Sequence, residues 1–226
     1  MSAWGKASRP SWSGSKVAWL SGKFYDLFMG GVEHRCLVSW RKELLSDLSG
    51  DVLEVGAGTG ANIEMYPDAV RNLTVIEPDP NMRTLLDKRI SDAGRTVQVF
   101  KAFLEALPCE DNAFDAVVGT LVLCSVRDMD LALAEVKRVL RPGGTFVFLE
   151  HVAAEPTTKA AKVQNFLNPA WRSFAGGCNL NRTTEAELRR AGFEILTVDH
   201  DHLCAPARPL WPTIRGIARL PQQSVG

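Results

Sequence analysis

Apolar residues along this chain follow two spacings, one typical of helices and the other of buried strands. Between residues 32 and 48 they recur every three or four positions, which predicts a helix. Short apolar runs follow at intervals, separated by more polar segments. These runs predict five strands, at residues 51–55, 73–77, 96–101, 114–120 and 145–150.

Helix signals lie between and after these strands. Asp79 can cap a helix that continues to about residue 93, and another helix is predicted at 129–140, ending at the breaker Arg141-Pro142-Gly143-Gly144. Later signals predict helices near 158–167 and 184–191, a loop at 176–177, and strands near 193–199 and 213–220. This alternation predicts a Rossmann-like three-layer α/β sandwich, in which helices cover both faces of a mostly parallel, seven-stranded sheet.

The 226 residues fit one domain, which we place at 25–226, preceded by a basic Ser/Gly/Trp-containing tail at 1–24. The tail has no acidic residue, and we expect it to be loosely structured. A lid over the active site is one alternative. A membrane-surface or targeting role is another, because Trp4, Trp12 and Trp19 lie among basic residues.

Composition narrows the function classes. Basic and acidic residues both number 26, so nothing indicates a nucleic-acid partner. The five cysteines form no CxxC pair, which is typical of reduced intracellular thiols, and we expect a cytoplasmic protein without a signal peptide. The longest apolar stretch, 114–126, contains Asp115 and is too short for a transmembrane segment, although peripheral membrane or organelle association stays possible.

The strongest chemical signal is the segment Glu54-Val55-Gly56-Ala57-Gly58-Thr59-Gly60, where a strand ends in a glycine-rich turn. Glycines let the backbone turn sharply and approach a ligand closely. With Ala61, the segment also fits a dinucleotide fingerprint, so on its own it leaves NAD and S-adenosylmethionine about equally open.

Two carboxylates bear on that choice. Glu54 precedes the first glycine by two residues, and its charge suits a cofactor whose nearby end is a cationic ammonium better than a pyrophosphate. Glu77 closes the second strand, where an acid can accept hydrogen bonds from both hydroxyls of a ribose. Both cofactors contain such a ribose, so Glu77 indicates a nucleoside without choosing between them.

These motifs together resemble class I S-adenosylmethionine-dependent methyltransferases. The resemblance runs from about residue 25 to 220 and includes the glycine segment, Glu77, residues 114–118 and residues 140–144, in the family's order. It implies S-adenosylmethionine as the cofactor and no metal. The cofactor-binding residues that it implies are Tyr25, Glu54, Gly56, Gly58, Gly60, Asn62, Glu77, Pro78, Met82, Leu104, Glu105, Thr120 and Leu121.

Within that superfamily the chain most resembles the methyltransferase-like alkyl-thiol methyltransferases, with ubiquinone and phospholipid methyltransferases as relatives. The resemblance rests on residues 120–126, Glu150-His151-Val152 and residues 177–183. Two features depart from it: the short basic tail replaces a hydrophobic membrane segment, and Phe103 stands where quinone-type enzymes often have an aspartate. Phospholipid or amine N-methylation and quinone C-methylation are the alternatives. An NAD-dependent oxidoreductase and a non-enzymatic cofactor-binding protein are remote ones.

The expected acceptor is a small, rather apolar molecule, with a thiol favoured over an N, O or C nucleophile. Loop 121–126 contains no carboxylate or lysine, and the segment 163–180, expected to cover the acceptor, adds Phe166, Leu167, Trp171 and Phe174. His151, at the end of the fifth strand, is the candidate catalytic base or orienting residue, with a structural histidine as the alternative. Cys124 and Cys178 are interpreted mainly as small packing residues.

Overall fold

Strands and helices alternate along the described part of the chain, residues 36–175, 177–204 and 211–221 of a computed structural model. The expected tail 1–24 and Tyr25 lie outside these residues. The helices are α1 (Val38–Leu45), α2 (Pro80–Ala93), α3 (Met129–Val139), α4 (Lys159–Phe174) and α5 (Thr184–Arg190). The strands are β1 (Gly50–Val55), β2 (Val70–Ile76), β3 (Val97–Phe100), β4 (Phe114–Thr120), β5 (Leu140–His151), β6 (Glu194–His202) and β7 (Pro212–Arg219).

The strands form one seven-stranded sheet in the order β3-β2-β1-β4-β5-β7-β6. All the pairings from β3 to β5 are parallel, and only those that involve β7 are antiparallel. The predicted mostly parallel α/β sheet is therefore confirmed. The strand order reverses between β1 and β4, which creates the crevice at the carboxyl edge where ligands of such sheets bind.

Side chains of β1 alternate between two apolar cores, one on each face of the sheet. Leu53 packs into the core that contains Leu133 of α3. Val52 packs into the opposite core, with Leu45 of α1 and Leu86 of α2. Because neighbouring strand residues point to opposite faces, Glu54 shares the α1 and α2 face with Val52.

The helix starts follow the predicted capping chemistry. The Asp79 carboxylate accepts hydrogen bonds from the backbone N–H groups of Asn81 and Met82, at 2.7 and 3.2 Å. Asp128 caps α3 in the same way through the N–H of Leu131. Within the described ranges, no helix is both long enough and apolar enough to cross a membrane.

Two element boundaries differ from the sequence predictions. The segment 141–144, expected to be a loop, lies inside β5: Leu140 pairs with Phe114, and pairing resumes between Thr145 and Ala116. The residues between them bulge out of the strand without ending it. Helix α4 was predicted to end before Pro169 but runs through it to residue 174, at the cost of one backbone N–H donor.

Candidate active site

The glycine segment follows β1 at the carboxyl edge of the sheet. Its three glycines differ in what an added Cβ atom would contact. A Cβ at Gly56 would overlap the Val122 side chain, and one at Gly60 would come within 2.8 Å of Leu86. Among the residues that the structure describes, none has an atom within 4 Å of a Cβ placed at Gly58. The backbone φ of Gly58 is +56°, in the left-handed region that favours glycine. Packing therefore accounts for two of these glycines, while Gly58 borders open space.

Glu77, which follows β2, connects the glycine segment to the start of α2. One carboxylate oxygen accepts the backbone N–H of Gly58 and the other accepts that of Asp79, both at 2.8 Å. Burial raises the pKa of the carboxyl group above its usual value. Each oxygen has a second lone pair and can also accept a ligand hydroxyl.

Glu54 lies at the centre of a buried polar network. Its carboxylate oxygens accept hydrogen bonds from the Asn62 side-chain amide at 2.9 Å and from the Tyr66 hydroxyl at 2.8 Å. Burial raises the pKa of Glu54 to about 7, against the opposing effect of these donors and of the nearby Arg41 charge. The sequence prediction placed Glu54 directly against a cofactor, whereas its carboxylate is bound mainly to protein groups and is 1% exposed.

Arg41 supplies the positive charge of this network, and the sequence interpretation missed it. The guanidinium donates to the Asn62 amide oxygen at 2.9 Å and to the Thr120 hydroxyl at 2.7 Å. Arg41 lies four residues after Leu37 and four before Leu45, in the buried stripe of its helix. A single charged residue in an apolar stripe is the signal that would have identified it.

The remaining predicted cofactor residues surround the same edge. The carbonyl of Pro78 accepts a hydrogen bond from Arg83, and Met82 lies in the first turn of α2. Leu104 is buried after β3, and the Glu105 carboxylate accepts the N–H of Arg127 at 2.7 Å. Leu121 directly follows β4 and has a φ of +57°, a conformation that a non-glycine residue adopts rarely and that is frequent at functional sites.

A second buried carboxylate supports the loop after β4. Glu150, near the end of β5, accepts the backbone N–H groups of Val122 and Leu123 at 3.0 and 2.9 Å. Burial raises its pKa to about 8, although these donors act in the opposite direction. The loop itself offers no carboxylate, as predicted, but one lies directly beneath it.

His151 ends β5 beside an aromatic and sulfur-containing cluster. Its ring centroid lies 5.5 Å from that of Trp211, which lies 5.1 Å from the Trp171 ring of α4. The side chains of Cys124 and His151 also lie close to the sulfur of Cys178 and lower the pKa of its thiol. The two cysteines therefore do more than fill space, because their sulfur atoms share a polar cluster with the candidate base.

The expected acceptor cover is only partly present. Trp171 faces the cluster, but Phe166 is 83% exposed and Leu167 is 41% exposed, so these two side chains of α4 point away from an enclosed pocket. The Phe174 side chain lies outside the described part of the structure. Helix α4 places its residue 171, and not its middle residues, at the end of β5.

Comparison with known proteins adds independent information. A sequence profile of the methyltransferase domain family matches residues 53–148. The chain is 41% identical to human thiol S-methyltransferase TMT1A over 199 residues, which cover 81% of this chain and 80% of the relative. It is 36% identical to human thiol S-methyltransferase TMT1B, with 82% and 80% coverage.

A solved structure has the same fold. A putative methyltransferase from Bacillus halodurans superposes with a TM-score of 0.69 at 17% identity, covering 81% of this chain and all of that one. At this identity the likeness concerns the architecture alone. The glycine segment, Glu77 and the loop after β4 lie at the carboxyl edge of the sheet, which belongs to the fold that the two proteins have in common.

Proposed function

This chain belongs to the class I S-adenosylmethionine-dependent methyltransferases, in the group that includes thiol S-methyltransferases, and we propose that it methylates small, apolar thiols. One observation carries the choice of acceptor: His151, the candidate base, lies beside the Cys178 sulfur and the Trp211 ring, which in turn contacts the Trp171 ring, at the edge where the cofactor would lie. Such surroundings favour an apolar, sulfur-containing acceptor over a charged head group.

The residues at the carboxyl edge fit S-adenosylmethionine, because Gly58 borders open space and Glu77 retains acceptor capacity. Glu77 would hold the ribose hydroxyls, and the ionised Glu54 carboxylate would attract the ammonium group. Pro78, Met82, Leu104 and Leu121 would line the remaining surface. When bound, the cofactor supplies a methyl group on a positively charged sulfur, so the chain itself needs mainly to align the acceptor.

Replacing Glu77 with alanine should weaken cofactor affinity by roughly 1.5–3 kcal/mol, the scale of hydrogen bonds that involve a charged group. Turnover at saturating cofactor should fall much less. Calorimetry measures the affinity, and Asp87→Ala, which removes an exposed acid of α2, is the matched control. Unchanged affinity in Glu77→Ala would mean that the ribose is held elsewhere.

On the acceptor side, His151 and Cys178 are neighbouring side chains that can take the proton of an acceptor thiol. The acceptor sulfur then attacks the methyl carbon as its S–H bond electrons become available. A thiol needs little help because it is partly ionised near neutrality, so a modest base suffices. Trp171 and Trp211 would contact the apolar part of the acceptor.

Replacing His151 with alanine should lower thiol methylation by roughly 10- to 100-fold at pH 7. The loss should shrink as the pH approaches the pKa of the acceptor thiol, since the thiolate then forms without a base. Rates measured from pH 6 to 9 test this, with His200→Ala as the control because His200 is 65% exposed and pairs with Glu185. A loss that is equal at every pH would make His151 a structural residue.

A further inference from the structure

Two pairs of neighbouring cysteines occur in the described part of the chain. The side chain of Cys124, in the turn after β4, neighbours that of Cys178, which follows α4. Cys36 and Cys204 are also neighbours, since the backbone N–H of Cys204 donates to the Cys36 sulfur at 3.2 Å. No residue of either pair is in a disulfide. The Cys36–Cys204 pair can therefore serve as an internal control for the Cys124–Cys178 pair.

The backbone holds Cys124 and Cys178 close together. The residue after Cys178 is Asn179, whose backbone N–H donates to the Cys124 carbonyl oxygen at 2.8 Å. The Asn179 side-chain amide donates to the same oxygen at 2.9 Å. Two hydrogen bonds to one carbonyl oxygen hold the loops of Cys124 and Cys178 against each other.

The surroundings of the two sulfur atoms differ. Cys124 is buried, and its pKa is raised by its hydrogen bond to Cys178 and by burial. Cys178 is only half-buried, and its pKa is lowered by the hydrogen bond from Cys124 and by His151. Glu150 is the nearby acid, and its carboxyl group is neutral at mildly acidic pH because its pKa is about 8. This combines one accessible thiolate with one buried thiol.

The second pair differs at Cys36. Burial raises the pKa of Cys36 to about 11, and the nearby Asp201 charge acts in the same direction. Since the thiolate is the reactive form, these surroundings make the Cys36 thiol unreactive near neutral pH.

We propose that Cys178 and Cys124 form a thiol–disulfide exchange site that reacts with small organic disulfides and is itself oxidised to a Cys124–Cys178 disulfide. This goes beyond methyl transfer. It rests on the proposed acceptor class only for the choice of probe, because a site edge suited to apolar thiols also suits their disulfides.

The reaction has two balanced steps. The Cys178 thiolate attacks a disulfide R–S–S–R, so the Cys178–S–S–R bond forms, the R–S–S–R bond breaks and R–S⁻ leaves. The Cys124 sulfur then attacks the Cys178 sulfur, forming the Cys124–Cys178 bond and releasing the second R–S group, which takes the Cys124 proton. Two electrons pass from the cysteine pair to the probe, which becomes one thiolate and one thiol. An added thiol reductant reverses the change.

The test is treatment of the full chain with bis(2-hydroxyethyl) disulfide at pH 5.5, without S-adenosylmethionine, followed by intact-mass measurement and peptide mapping. The wild-type protein should lose two hydrogens and map to one disulfide between Cys124 and Cys178. Cys124→Ser should stop with one retained probe adduct on Cys178. Cys178→Ser should leave Cys124 unmodified, and Cys204→Ser, in the other pair, should behave like the wild type. Circular dichroism establishes that each variant is folded.

The pH dependence separates this chemistry from ordinary thiol reactivity. An unperturbed thiol loses roughly 100-fold or more of its thiolate between pH 8 and pH 5.5. The modification rate of Cys178 should fall less than tenfold over that range, and His151→Gln should make the fall steeper. Modification of Cys36, Cys204 or Cys109 instead, or a Cys178 rate that follows an ordinary thiol, would overturn the proposal. Because no methyl transfer is involved, either result stands apart from a failure of the proposed acceptor class.

Discussion

Replacing Gly58 with valine should weaken S-adenosylmethionine binding at least about 100-fold, which is near or above the upper end of the loss expected for Glu77→Ala. No atom of the described residues lies within 4 Å of a Cβ at Gly58, so the added side chain would project into the space where the glycine segment is proposed to meet the cofactor. Calorimetry with S-adenosylmethionine and with its demethylated product measures the effect.

Gly94 provides a matched control for the strain of this substitution. It has nearly the same backbone conformation, with φ of +61° against +56°, and its Cβ position is equally free of neighbours. It ends α2, however, whereas the start of that helix lies beside Glu77. Gly94→Val should therefore lose a similar amount of stability, about 1–2 kcal/mol, and bind the cofactor normally. Equal loss of binding in both variants would show that strain, and not occupied space, explains the result.

Replacing Arg41 with methionine should destabilise the fold by roughly 3–5 kcal/mol at pH 8. The change leaves the Asn62 amide oxygen and the Thr120 hydroxyl without their guanidinium donor and removes the positive charge near Glu54. Urea unfolding, monitored by circular dichroism, measures the free energy. Arg190→Met is the control, because the Arg190–Asp130 pair is exposed and should contribute less than about 1 kcal/mol.

The Arg41 effect should depend on pH in a defined direction. The pKa of Glu54 is about 7 in the folded protein, above its ordinary 4.5, so folding favours the protonated form and stability falls as the pH rises through that range. Removal of the Arg41 charge raises this pKa further. The penalty should therefore be smaller at pH 5, about 1–3 kcal/mol, where Glu54 is neutral and only hydrogen bonds are lost. A penalty that does not change with pH would mean that Arg41 and Glu54 are not electrostatically linked.

The architecture was largely predictable because the central strands contain short apolar runs that alternate along the chain with helix signals. The ends of strands and helices were harder to predict where a local preference of Pro or Gly conflicts with tertiary packing. The Pro-Gly-Gly segment before Thr145 is typical of a loop between two elements. In the structure β5 pairs with β4 on both sides of this segment. Pro169 reads as a helix end, yet α4 continues and places Trp171 against Trp211.

A site residue could be predicted where its type and its position relative to a strand together indicate its role. Glu77 and the glycines follow directly from their positions after strands. The partners of Glu54 were not, because Arg41 and Tyr66 reach it from separate segments and only the tertiary fold shows that they converge. The contact of Cys178 with His151 likewise joins residues that are 27 positions apart in the sequence, with no periodic pattern to connect them.

The most direct test of the account is a comparison of kcat/KM for three acceptors with the full-length protein: hexanethiol, hexylamine and ethanolamine. The two hexyl compounds have the same apolar chain and differ in the attacking atom, while ethanolamine represents an amino-alcohol head group. The account predicts that hexanethiol is preferred by at least roughly tenfold over both amines. A clear preference for ethanolamine would contradict it and would place the chain with the enzymes that methylate phospholipid head groups.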